Sequence, residues 1–411
     1  VKALVARSPR WVWALLALWV AYAITGLRAP WSPILVSDGD AGGALRKVLF
    51  GLTGLVAALA LVEARCLDAV AGRQRRLLGL AACVLATALY SQDPALSAKR
   101  GVLLLLAVLA VCTAVHAARD PVRRMQAVLV GGAALAAWVS LAAWAVLPAE
   151  CSSIAERRGL AGVTSHPNTL GAICAVGLTL SLGVDARSLS QHATLWGARA
   201  GLALALVLTG SLTSLVFVSV ACGVTWFLSV PTSTRCVALL LLALGALALL
   251  GAWLILGAGG LLEAAGRDSS LSGRDQLWGA VWQAGCERPV FGSGYGAFWY
   301  EGRGREIVGT WNPRQAHNAF LDLFVDLGVI GATIVLGSIL AILGQGWGRW
   351  RSAPLSPERW ATASAIGVSL GLLCVYGCGE SYLLKPDKFV FFSLLWVLAL
   401  LDRARPIGVR S

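Results

Sequence analysis

Charge is scarce in this sequence, and its scarcity excludes a great deal. Asp, Glu, Lys and Arg together make up 13% of the residues, about half the share that a soluble globular chain carries. With 57% hydrophobic residues and a mean hydropathy of +0.73, an ordinary soluble domain is ruled out. Metal-binding spacing is missing too: there is no Cys-x-x-Cys, no His-x-x-x-His and no carboxylate cage, so neither a metal nor another cofactor is expected. The ten cysteines are scattered, mostly inside apolar runs, and read as small packing residues. Cys151, Cys286 and Cys378 fall near one face of the expected bundle, where a disulfide is permitted but not implied. Asp38-Gly-Asp40 has the form of a metal-binding Asp-x-Asp, but in a short loop it reads as a solvated turn.

What is abundant is apolar length. Runs of about 17 to 25 residues, enough to cross a bilayer, recur from end to end. Twelve spans are expected, at 11–26, 45–62, 77–92, 101–117, 125–147, 165–184, 195–209, 211–230, 236–258, 317–343, 360–378 and 388–402. The first follows Lys2, Arg7 and Arg10 like a signal peptide, yet lacks a small-residue cleavage site, so it reads as a permanent helix. The weakest boundary is at Thr209 to Thr213, where two helices meet with almost no loop. The fold class is therefore an all-α polytopic membrane protein of about twelve transmembrane helices. Its expected organisation is helices 1–9 over residues 1–258, one large periplasmic loop over 259–316, and helices 10–12 with a cytoplasmic tail over 317–411.

Charge distribution sets the orientation. With the N-terminus cytoplasmic, inner segments hold 19 cations against six acids, and outer segments 15 against 13. That is the positive-inside pattern, with both termini cytoplasmic and the long loop outside. The net charge of +13 is then a topology signal at an anionic leaflet, and no nucleic-acid partner is implied. The 17 tryptophans suit interfacial belts.

The outer cations carry more information. Lys99 and Arg100 open a span, Arg157 and Arg158 precede the stretch that contains Asn168, Arg274 lies in the loop, Arg314 stands three residues before His317, and Lys385 and Lys388 open the last span. Cations recurring at helix ends on one face suit a phosphate group at headgroup depth; for any single one, snorkelling to lipid phosphates is the ordinary alternative.

The loop is long enough to act as a lid or binding element. Its middle, Arg274 to Trp282, reads as an amphipathic helix. Gly292-Ser-Gly-Tyr-Gly looks like a nucleotide loop, but no strand precedes it. The loop ends in Trp311 to Gly331, where a polar stretch becomes an apolar helix and Pro313 prevents a helix from running straight through. Asn318, or a polar group before it, can cap the new helix. At about 100° per residue, Leu321, Phe324, Gly328 and Gly331 fall within about 40° of His317, on a face where glycines would admit another backbone or a lipid chain. A neutral histidine at a helix N-terminus suits a general base for a sugar hydroxyl; a capping residue with no chemistry is the plainer alternative. Asp322 and Asp326, on the opposite face, would serve a proton pathway or meet buried partners.

His317-Asn318, nine residues, Gly328, two residues, Gly331 resembles the His-Asn-x9-Gly-x-x-Gly pattern of bacterial O-antigen ligases, and the twelve-span plan with a large loop before that helix is similar to theirs. Arg157 to Gly171 and Ser272-Gly273-Arg274 are similar to further segments of the ligase and polymerase superfamily, and Arg267 to Leu271 fits an Arg-x-x-x-Leu element of the ligase loop. The resemblance implies a GT-C-like glycosyltransferase of the bacterial inner membrane with its site facing the periplasm. Such enzymes transfer a polysaccharide from undecaprenyl diphosphate to a sugar hydroxyl of the lipid A core, without metal or nucleotide. By that resemblance His317 would activate the acceptor. Arg158, Arg274, Arg314, Lys99, Arg100 and Lys388 would bind the diphosphate, with Arg157, Asn168, Asn318, Gly328 and Gly331 in support. An O-antigen polymerase or a protein O-oligosaccharyltransferase would share the donor. A lipid-linked glycan flippase, from a different class, would want cations lining the whole membrane depth, whereas these spans are nearly free of charge.

Overall fold

The computed structural model describes residues 10–25, 48, 51–59, 67–152, 159–164, 166–231, 274–300, 302–309, 312–352 and 356–402. Among these there is no β-strand. The expected span 236–258, the Asp38-Gly-Asp40 turn, Arg157 and Arg158, and the segment Arg267 to Gly273 lie outside the described residues.

The helices are α1 (Arg10–Thr25), α2 (Leu67–Arg73), α3 (Arg75–Ala86), α4 (Pro94–Ala117), α5 (Pro121–Val146), α6 (Pro167–Ser181), α7 (Leu189–Leu208), α8 (Leu212–Ser229), α9 (Arg274–Gly285), α10 (Arg303–Val308), α11 (Ala319–Ser352), α12 (Pro357–Gly371) and α13 (Phe389–Asp402); residues 51–59 are also helical. Five helical stretches are long and apolar enough to cross a membrane: Pro94–Ala117, Pro121–Val146, Leu212–Ser229, Ala319–Ser352 and Pro357–Gly379. The chain is thus a helical protein of membrane type.

Sequence chemistry sets where these helices start. Asp93 and Asp120 each accept a backbone N–H of the first turn, at 3.0 Å, ahead of Pro94 and Pro121. Proline at the first helical position loses nothing, because its N–H would be unpaired there. Pro167 opens α6 in the same way, behind His166. The doubtful boundary near Thr209 is a true turn, with Gly210 at φ 62° between α7 and α8.

α6 is the centre of the bundle: it packs against α5, α7, α8, α12 and α13, and nearly all its side chains are buried. Among the described helices α8 and α12 share the most extensive contact, meeting where Gly367 and Gly371 lie against Ala221, Thr225 and Phe217. Small residues at such crossings let helix backbones approach. At one end of the bundle a polar clasp joins α3, α11 and α13: Arg76 pairs with Asp402 at 3.0 Å, and Arg349 donates to the Leu400 carbonyl at 2.8 Å. Just ahead of α3, Gln74 donates to the Ala399 carbonyl at 2.9 Å. The opposite end carries α9, α10 and the polar loops. Among the described residues, Cys286 and Cys378 are exposed free cysteines, whereas Cys151 is buried.

α11 departs from the uniform helix that its periodicity suggests. It begins at Ala319, after His317, whose own φ is 51°. It also breaks at Gly328, at φ 64° and ψ −174°. The single face joining His317 to Gly328 and Gly331 therefore does not exist, because two departures from helical geometry fall between or within those residues.

The break is filled by another piece of chain. An intact helix would pair Val329 N–H with Val325 C=O and Ile330 N–H with Asp326 C=O. Instead, Val329 and Ile330 donate to the Pro289 and Val290 carbonyls at 2.8 and 3.2 Å, while the Val325 and Asp326 carbonyls accept from Ser293 and Gly294 at 2.9 and 2.8 Å. A side chain at Gly328 would strike the Val290 carbonyl, and one at Gly292 would strike the Gly328 backbone. The close approach expected at Gly328 is thus a backbone crossing, whereas at Gly331 the nearest atoms belong to Leu327 of its own helix.

Candidate active site

The polar side chains of interest come from four helix ends. Asn168 is the second residue of α6, Arg274 the first of α9, His317 sits two residues before α11, and Glu380 follows the end of the α12 continuation, which passes through a π-helical turn at Leu372–Tyr376 and closes at Gly379. Such π turns recur at functional sites because they redirect the residues that follow them.

His317 is fixed by its neighbours in sequence. On one side the Ala316 carbonyl accepts from the Trp278 indole at 3.0 Å and the Ala316 N–H donates to Asp322 at 3.0 Å. On the other, the Asn318 carboxamide caps α11, accepting from Phe320 and Leu321 N–H at 3.0 and 3.2 Å. A left-handed backbone at a non-glycine residue costs of order 1–3 kcal/mol and persists only where the surroundings over-determine it; here the flanking residues do so.

The side chains then converge on Glu380, whose side chain is only 8% exposed. Its Oε2 lies 3.4 Å from His317 Nδ1. Its Oε1 lies 3.3 Å from Asn168 Nδ2 and 3.7 Å from Arg274 Nη2. Arg274 also donates through Nη1 to the Gly379 carbonyl at 2.7 Å, which fastens α9 to the end of α12. A second line reaches His317 from Lys385, whose Nζ donates to Gln315 Oε1 at 2.7 Å, with Gln315 Nε2 3.4 Å from His317 Nδ1. Burial pushes the Lys385 ammonium below its usual range, partly offset by Asp322 and Asp387. The His317 side chain keeps 30% of its surface exposed, which leaves it open to a substrate from the polar end of the bundle.

The glycine-rich stretch 292–296 braces this arrangement. Beyond its contacts to α11, Ser293 C=O accepts from Gln92 N–H at 2.9 Å, Tyr295 C=O from Ser97 at 3.1 Å, and Gly296 C=O from Arg100 at 2.6 Å. Tyr295 donates its hydroxyl to the Leu384 carbonyl. Asp322 holds the Trp299 indole at 2.9 Å, and Asp326 receives the Gly296 and Phe298 amides. Both acids therefore tie the loop to α11.

Of the residues singled out from sequence, the structure brings His317, Arg274 and Asn168 together and places Asn318 in the cap. Arg100 is drawn into bracing the loop. Arg314, Lys99 and Lys388 are exposed at this end of the molecule, outside the group of side chains that meets Glu380. Glu380, Gln315 and the site role of Lys385 were not evident. The available signal for Glu380 was an acid directly after a Gly-Cys-Gly end to an apolar run.

A helical membrane-type protein whose polar helix ends gather a histidine, a carboxylate, an arginine and a lysine defines the class. Within it, residues 198–336 match the family model described as O-antigen ligase, which bears out the resemblance carried by His317 to Gly331. That segment, about a third of the chain, contains Arg274, Gln315 and His317 but neither Asn168, Glu380 nor Lys385. The chain is also similar to the exopolysaccharide production protein ExoQ of Rhizobium meliloti (strain 1021), at 26% identity over 283 residues, which is 64% of this chain and 63% of that relative.

Proposed function

We propose that the protein is an O-antigen ligase of the bacterial inner membrane. It transfers a polysaccharide from undecaprenyl diphosphate to a sugar hydroxyl of the lipid A core, on the periplasmic side, beneath the loop 259–316. The observation that carries this reading is the cluster of His317, Glu380 and Arg274 at the helix ends, within a chain whose central segment matches the ligase family.

The chemistry follows from the groups present. The acceptor oxygen attacks the anomeric carbon of the donor, and its proton passes to His317. The bond from that carbon to the diphosphate breaks, with its electron pair leaving on the phosphate oxygen. Attack opposite the leaving group gives inversion. The departing diphosphate gains a negative charge as the bond breaks and needs positive charge that is already in place, and Arg274, Arg314, Lys385 and Lys388 stand at this end to supply it without a metal. Arg157 and Arg158, which precede α6, are proposed to join them.

A second reading draws on the similarity to a protein named for exopolysaccharide production: the acceptor would be the growing glycan itself, and the enzyme a polymerase. Purified protein given lipid-linked donor and lipid A core, with chelator present, separates the two. Ligase activity predicts core-linked product, reduced by about 10²–10⁴ in His317→Ala and about 10²–10³ in Arg274→Ala, with both variants monodisperse. Elongated donor without core-linked product would move the assignment to polymerase. Unchanged transfer by His317→Ala would return that residue to a purely structural role.

A further inference from the structure

Two groups compete for one nitrogen of His317. Glu380 Oε2 and Gln315 Nε2 both stand 3.4 Å from Nδ1. The Gln315 amide cannot turn its oxygen toward the ring, because Oε1 is held by Lys385 at 2.7 Å and an ammonium offers only donors. Nδ1 thus faces an acceptor on one side and a donor on the other. A hydrogen bond to an ionised carboxylate is about twice as strong as one between neutral groups, so Nδ1 keeps its proton and donates a hydrogen bond to Glu380. The other ring nitrogen, Nε2, is then the one with a free lone pair.

We infer that Glu380 is a positioning residue that fixes the tautomer of His317, leaving Nε2 as the base that takes the acceptor proton. This rests on the catalytic role proposed for His317 above. Arg274 enters through the same carboxylate. It and Asn168 both present donors to Oε1, so a glutamine at position 380 would turn its carbonyl toward the arginine, which has no acceptor to offer in exchange. Its amide NH₂ would then face Nδ1. With donors on both sides Nδ1 must carry the lone pair, the proton moves to Nε2, and the base is lost without any change in shape.

The tautomer is measurable without turnover. The chain has four histidines, so ring-¹⁵N-histidine protein in nanodiscs, with His317→Ala to assign the resonance, gives the protonated nitrogen directly at a pH where the ring is neutral. The parent and Glu380→Asp are expected to carry the proton on Nδ1, and Glu380→Gln on Nε2. In parallel, Glu380→Gln should lose about 10²–10⁴ in kcat with the donor KM unchanged, and Glu380→Asp should recover part of it. The same tautomer in parent and Glu380→Gln would overturn the inference, as would full kcat in Glu380→Gln when His317→Ala is inactive. The expected tautomers in a protein that transfers no glycan to any acceptor would support the role of Glu380 and overturn the functional reading alone.

Discussion

Asn168 shares Oε1 of Glu380 with Arg274, and that contact makes it a sensitive probe of the cluster. Removing the amide in Asn168→Ala leaves one donor on the carboxylate. Replacing it by an aspartate puts a second carboxylate against the first, and two such groups in one site do not both stay ionised near neutral pH. Transfer activity is therefore expected to fall more in Asn168→Asp than in Asn168→Ala, and the excess loss should shrink as pH rises and both carboxylates ionise. A larger loss in the alanine variant at neutral pH would count against the arrangement. His317 and Arg274 could be picked out by type and position, because a histidine at a helix entry and an arginine at a loop junction are visible in one dimension. Glu380 could not be, since it comes 63 residues after His317 and reaches it only through the packing of α12 against α11.

At the scale of elements, the unexpected feature is the split in α11. Its apolar character runs on through Gly328, and hydropathy cannot register a single residue turning to φ 64°. The His-Asn-x9-Gly-x-x-Gly spacing marked the glycine, but not that a loop backbone would replace the helix's own bonds there. Gly328→Ala is expected to be costly on two counts, a left-handed φ worth of order 1–3 kcal/mol and overlap with the Val290 carbonyl. Limited proteolysis should find 288–296 cut faster in that variant, and thermal unfolding should begin earlier. Gly337→Ala, in the same helix and facing open space, should change neither. The starts of α4 and α5, at Asp93-Pro94 and Asp120-Pro121, lie ahead of the expected spans 101–117 and 125–147, because hydropathy does not register a cap. The capping role of Asn318 was legible, because a cap acts through its own local backbone.

At the scale of the molecule, cations and acids are distributed unequally between the two ends of the bundle. The clasp of Arg76, Asp402 and Arg349 lies at one end and the Glu380 cluster at the other. If the cation-rich end faces the cytoplasm, then Cys286, an exposed free thiol after α9, faces outward. In a Cys378→Ser background, which removes the other exposed cysteine expected on that face, a membrane-impermeant maleimide should label Cys286 in cells with permeabilised outer membranes, and adding Cys286→Ser should remove that label. Protection of Cys286 until the inner membrane is opened would invert the proposed topology. The all-helical class and the apolar spans were legible because composition and helix length are constrained by the bilayer. The way the loop closes over the helix ends was not, because it is made largely by main-chain groups that every residue type carries.

The splice at Gly328 also bears on how the protein is made. A helix with a break about 13 Å from its start has four backbone groups with no partner of their own, and in hydrocarbon each such group costs several kcal/mol. The chain that supplies their partners, Pro289 to Gly294, is synthesised before α11. The acceptors and donors for the break have therefore left the ribosome by the time the broken helix emerges, so an order of translation reversed by circular permutation would ask the membrane to receive that helix bare.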